Sequence, residues 1–107
     1  MATFPDSIVD LVWDRATPVD GFNPSIWRKD FADAWICRQQ YGKDSFFGWE
    51  IDHLRPVSKG GTDALDNLYP LHWRNNNFKS DNYPNFQTAI TSSDKTNIEE
   101  IKSWRAR

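Results

Sequence analysis

Residues 49–81, WEIDHLRPVSKGGTDALDNLYPLHWRNNNFKSD, gather most of the side chains that could do chemistry. Asp52 stands directly before His53. Asn67 follows 14 residues after that histidine, Asn76 lies nine further on, and Lys79 three beyond. A neutral imidazole takes a proton from water near physiological pH, which suits His53 to general-base work. Asp52 offers a carboxylate and Asn76 an amide oxygen. Both suit a hard cation such as Mg²⁺, which prefers oxygen ligands and keeps several waters. Each residue also has a plain alternative. His53 could be an ordinary half-buried histidine, and Asp52 one side of a surface ion pair. Asn76 could be a helix cap or a solvated amide, and Asn67 a turn residue.

The ordered set Asp52–His53, Pro56, the Gly60–Gly61 loop, Asn67–Leu68, Leu71, Asn76 and Lys79 resembles the HNH endonuclease family. The name-giving positions fall at His53, Asn67 and Asn76, a His-Asn-Asn form. The flanking pieces WRKD, AWI and GWEIDH also resemble small bacterial or phage members. The resemblance implies a ββα-metal fold, in which a long loop joins two antiparallel strands and a helix packs across them. It also implies hydrolysis of DNA phosphodiesters to 5′-phosphate and 3′-hydroxyl ends.

Such hydrolysis needs a nucleophilic water, neutralised phosphate charge and help for the leaving oxygen. On this reading His53 activates the water, and Asp52 and Asn76 hold one Mg²⁺, or Mn²⁺ or Ni²⁺ in its place. One carboxylate at the metal positions is thin for two ions, so a one-metal mechanism is expected. Asn67 ties the loop and orients His53, as outer groups orient a ligand. Lys79 contacts the scissile or a neighbouring phosphate, and Arg55, His72 and Arg74 join it in binding nucleic acid. Family variants often place paired cysteines around the third position. Here those places hold His72 and Asn75, so no structural zinc is expected, and the tryptophans would stabilise the fold instead.

The elements that must position these groups follow from pattern. Residues 46–53 (FFGWEIDH) predict a strand, residues 57–66 a glycine-tipped loop, 67–71 a short edge strand and 73–82 a helix. In a regular strand Asp52 and His53 point to opposite faces, so both address one phosphate only if the strand ends or distorts there. On the helix Asn76, Lys79 and Ser80 share a face, and Phe78, roughly opposite Asn76, is expected to hold the helix on the core. Residues 6–15 predict a helix capped by Asp6 or Ser7. Residues 27–30 predict a turn or short helix. Residues 33–38 fit strand or helix, and residues 85–92 suggest a strand. Ile98, Ile101 and Trp104 are spaced for an amphipathic helix over 96–105.

The expected fold is α+β: a single small domain, residues 1–107, with its motif core at about 46–82. Extensions 1–45 and 83–107 flank it with additional short helices. A chain of 107 residues supports one core, and its 6 Trp, 7 Phe and 3 Tyr are enough to anchor it. One cysteine excludes an internal disulfide and a multi-cysteine zinc site. No apolar run is long enough to span a membrane and the first residues do not read as a secretory signal, so a cytoplasmic protein without a membrane partner is expected. The net charge is −2, but residues 1–52 carry 5 basic and 9 acidic groups, and residues 53–107 carry 8 and 6. The basic surplus therefore lies in the half that holds His53, Asn67 and Asn76, where Arg55, Lys59, Arg74 and Lys79 cluster, and its plain reading is a solvated face. No helix-turn-helix or zinc-finger signature accompanies the motif, so double-stranded DNA is expected to be cut with low sequence specificity or through a recruiting protein. Two rival readings are a non-catalytic nucleic-acid binding module and a toxin nuclease held by an immunity protein.

Overall fold

Helix α1, Asp6–Trp13, buries Val9, Val12 and Trp13. These meet Ile36, Trp49 and Leu68 in the main core, so α1 covers one face of the central hairpin. Pro5 rather than Asp6 or Ser7 occupies the cap, without a side-chain bond, and the helix stops at Trp13, two residues short of the expected end. The computed structural model describes residues 3–106; of the expected 1–107 domain, Met1, Ala2 and Arg107 lie outside the described residues.

Three short strands follow: β1 (Thr17–Pro18), β2 (Trp27–Lys29) and β3 (Trp35–Cys37), antiparallel in that order. Residues 27–29 are therefore strand, not turn or helix. Asp30, just beyond β2, is buried and makes its carboxylate a hub. Oδ1 accepts the N–H of Ala32 and Ala34, and Oδ2 accepts His72 N–H and Asn75 Nδ2. Burial pushes this carboxyl up to about 6 while the four donors pull it back.

The centre is the antiparallel pair β4 (Trp49–His53) and β5 (Leu68–His72), followed at once by helix α2 (Trp73–Lys79). Strand, glycine-bearing loop, strand and helix thus appear in the expected order. Pro70 is tolerated because, among the described residues, β5 has no neighbour in its sheet besides β4. His72 caps α2, its ring Nδ1 accepting the Arg74 N–H.

The C-terminal third differs from expectation. Residues 96–105 are not a helix; β7 (Thr96–Arg105) pairs antiparallel with β6 (Asn85–Ser93). The register slips between Thr88 and Ile90, so Glu100 and Ile101 together oppose Ala89. Such a bulge breaks the two-residue alternation, and the apolar residues on either side of it fall at helical spacing by accident. Ile98 and Ile101 are exposed, whereas Trp104 packs on Phe31 and donates to Thr88 Oγ1. The elements around the centre are therefore mostly strands, not additional short helices, within an α+β fold built from antiparallel sheets.

Two asparagines fasten this hairpin. Asn97 uses both ends of its amide on the backbone of Trp35, and Asn75 accepts the N–H of Ala89 and Ile90 while donating to Ile90 O. Buried amides satisfied this fully act as pins, because breaking one leaves several polar groups unpaired.

Candidate active site

Strand β4 alternates between two covered faces. Trp49 joins the core under α1, and His53 lies against Phe4 with 5.8 Å between ring centres. Glu50 and Asp52 face α2, bonded to Asn76 and Lys79. Among the described residues the outer edge of β4 carries a single bridge, Tyr41 to Trp49. A cleft of about 680 Å³ opens along that edge and reaches both faces, bringing Glu50, Asp52, His53 and Asn76 to one space, with Ser80 and Asp81 at the end of α2. The opposed directions of Asp52 and His53 are thus reconciled by an unpaired strand edge at the point where the strand ends.

Asp52 is 5% exposed. Its Oδ1 lies 3.3 Å from Lys79 Nζ, which also donates to His53 O at 3.2 Å and sits over the Phe86 ring. Lys79 has no exposure at all, which corrects the expectation that it faces phosphate. A four-carbon stem lets the ammonium cross from α2 beneath the helix to β4, so the charge serves the protein interior. Burial pushes the Asp52 carboxyl above its ordinary range, and Lys79 pulls it down. Asp52 Oδ2 is buried and has no protein partner among the described residues.

His53 Nε2 meets Asp63 Oδ1 at 2.7 Å. Asp63 lies in the loop between β4 and β5, and Asn67 shapes that loop. Its Oδ1 accepts Arg55 N–H, and its Nδ2 donates to Arg55 O and Thr62 O. Asn67 therefore does not touch the imidazole; it acts through the loop, by its bond to Thr62, the residue before Asp63. Gly61 is required here, since a Cβ would come within 1.7 Å of Arg55 O.

Asn76 donates through Nδ2 to Glu50 Oε1 at 3.1 Å, leaving its Oδ1 for an outside partner. Arg55 is exposed on the loop, stacked over Tyr83, with Nε on Lys59 O. His72 is buried: Nδ1 caps α2 and Nε2 donates to Phe46 O, so it does not face nucleic acid. Burial lowers its pKa, consistent with a neutral ring that accepts at one nitrogen and donates at the other. Arg74 points away from the cleft to Glu99 on β7. Phe78 is 42% exposed rather than an anchor. The buried face of α2 belongs to Asn75 and Lys79 instead, a polar choice that apolar periodicity does not reveal. Glu50, Asp63, Asp30 and Asn75 are given no role by the sequence pattern. Only the parity of Glu50 with Asp52 was readable in advance.

The donor set fits a hard divalent cation. The unsatisfied Asp52 Oδ2, the Asn76 amide oxygen and the Glu50 carboxylate are all oxygen donors on one wall of the cleft. Among the described residues no three His, Cys, Asp or Glu side chains converge as an all-protein cage. Among the described residues, too, no helix is long and apolar enough to cross a membrane.

Residues 37–82 match the family model described as HNH endonuclease, which spans β4, the loop, β5 and α2. No curated protein and no solved structure matches the chain. By that match and by the order of its motif residues, residues 37–82 are similar to the HNH endonuclease family.

Proposed function

We propose that the chain is a single-domain, metal-dependent endonuclease that hydrolyses DNA phosphodiesters. The observation that carries this reading is the shared cleft of Asp52, His53 and Asn76, with a buried Asp52 oxygen left unsatisfied. The match of residues 37–82 to an endonuclease family model supports a nuclease chemistry.

Asp52 Oδ2 and Asn76 Oδ1 would hold one divalent cation, Mg²⁺ by the preference of these donors. When bound, the ion neutralises phosphate charge and stabilises the leaving oxygen. His53 Nδ1, free once Nε2 faces Asp63, takes a proton from the attacking water. The water oxygen forms a bond to phosphorus and the bond to the 3′-oxygen breaks. That oxygen takes a proton from solvent, leaving 5′-phosphate and 3′-hydroxyl ends. Arg55, exposed at the loop, contacts the DNA backbone.

The test is nicking of a supercoiled plasmid with Mg²⁺ or EDTA, comparing the parent with Asp52→Ala and His53→Ala. Nicking should require Mg²⁺ and fall at least 100-fold in either variant. Undiminished cleavage by His53→Ala would remove the general base. Tight binding without cleavage in Mg²⁺, Mn²⁺ or Ni²⁺ would instead favour a non-catalytic module.

A further inference from the structure

We infer that Asp63 is a positioning residue that fixes which nitrogen of His53 faces the substrate. The inference rests on the general-base reading above. Asp63 Oδ1 is 2.7 Å from His53 Nε2, and an ionised carboxylate can only accept, so that nitrogen carries the proton and Nδ1 is left bare. The ring is 15% exposed and lies against Phe4, while Asp63 itself is 73% exposed. An acid so exposed does little for global stability, because solvent screens it.

Its place is nonetheless built. Asn67 Nδ2 holds Thr62 O at 2.8 Å, next to Asp63 in the chain, and Ala64 N–H bonds Thr62 Oγ1 on the other side. Gly61 permits the chain to pass against Arg55 O just before. Asn67, Thr62 and Asp63 thus form a strut ending on the imidazole. A base whose tautomer and direction are set beforehand avoids ordering at the moment of reaction.

Two measurements on the full chain test this. The first is ¹⁵N NMR of the imidazoles in metal-free protein at alkaline pH. There are two histidines, and His72, locked by Phe46 O, serves as an internal reference. His53 should show a protonated Nε2 and a bare Nδ1 in the parent, and an averaged pattern in Asp63→Ala. The second is steady-state cleavage of a labelled duplex with Mg²⁺. Asp63→Ala should lower kcat about 10- to 100-fold with KM within about twofold. Its thermal midpoint should be unchanged, and Asp63→Asn, which still accepts through Oδ1, should recover most of the rate. An averaged His53 pattern in the parent would overturn the proposal whatever the activity. With His53→Ala inactive, a parental kcat in Asp63→Ala would overturn it alone. A fully active His53→Ala would overturn the general-base reading and, with it, any catalytic use of the strut.

Discussion

Lys79 Nζ lies 3.3 Å from Asp52 Oδ1, with both side chains almost wholly out of solvent. This pair joins the last turn of α2 to the strand that carries the site. Removing one partner of such a pair leaves an uncompensated charge, which costs more than the pair contributes. Lys79→Met should destabilise by about 3–5 kcal/mol in urea unfolding. Lys79→Met/Asp52→Asn should be more stable than the sum of the single losses. Strict additivity would show that the two groups do not interact.

Asp30 makes folding depend on pH. Its folded pKa, about 6, lies above the ordinary 3.8, so between those values the folded chain holds more protons than the unfolded one. Stability then falls as pH rises through that window. The penalty is absent below the lower value and complete above the upper. Asp30→Asn turns an N–H₂ toward a ring of donors and should destabilise by about 2–4 kcal/mol near neutrality. The gap between parent and variant should widen from pH 6 to pH 4. Unfolding free energies over pH 4–7 measure it, and a gap that stays constant counts against titration at Asp30.

Asn67 both accepts and donates, so its closest isostere separates the two functions. Asp in its place keeps the bond from Arg55 N–H but faces Arg55 O and Thr62 O with oxygen. Asn67→Asp should therefore be no better than Asn67→Ala, each losing about 1–3 kcal/mol. Both should lower kcat more than they raise KM. A parental Asn67→Asp enzyme would show that the amide donor is idle.

The two arginines should behave differently on DNA. Arg55 is exposed at the loop beside the cleft, its side chain bonded through Nε to a backbone oxygen, whereas Arg74 is tied to the Glu99 carboxylate on the far side of α2. Arg55→Ala should weaken binding to any duplex and reduce the salt slope by about 1. Arg74→Ala should leave both unchanged. Equal losses would place Arg74 on the DNA path.

The central unit was legible because its signals are local. An alternating strand, a glycine pair and a proline set β4, its loop and β5, and Asp52, His53 and Asn76 arrived together in one cleft. What stayed hidden depends on partners distant along the chain. Nothing near Lys79 says that its ammonium ends on Asp52, 27 residues away. Nothing near Asp30 says that it will receive bonds from residues 72 and 75. The β7 error has a different cause. One bulge gave a strand the apolar spacing of a helix, and only pairing with β6 decides between them.

The bonds from Asp30 to the end of β5 and the start of α2 bear on how far the motif can travel. A peptide cut to residues 46–82 would lose the acceptor for Asn75, the aromatic roof over Lys79 and the helix that shelters Trp49. Grafted onto another scaffold, the same letters would carry donors with nothing to grip. The motif of this molecule is therefore not a transplantable cassette, and its seemingly incidental flanks are part of what holds it in shape.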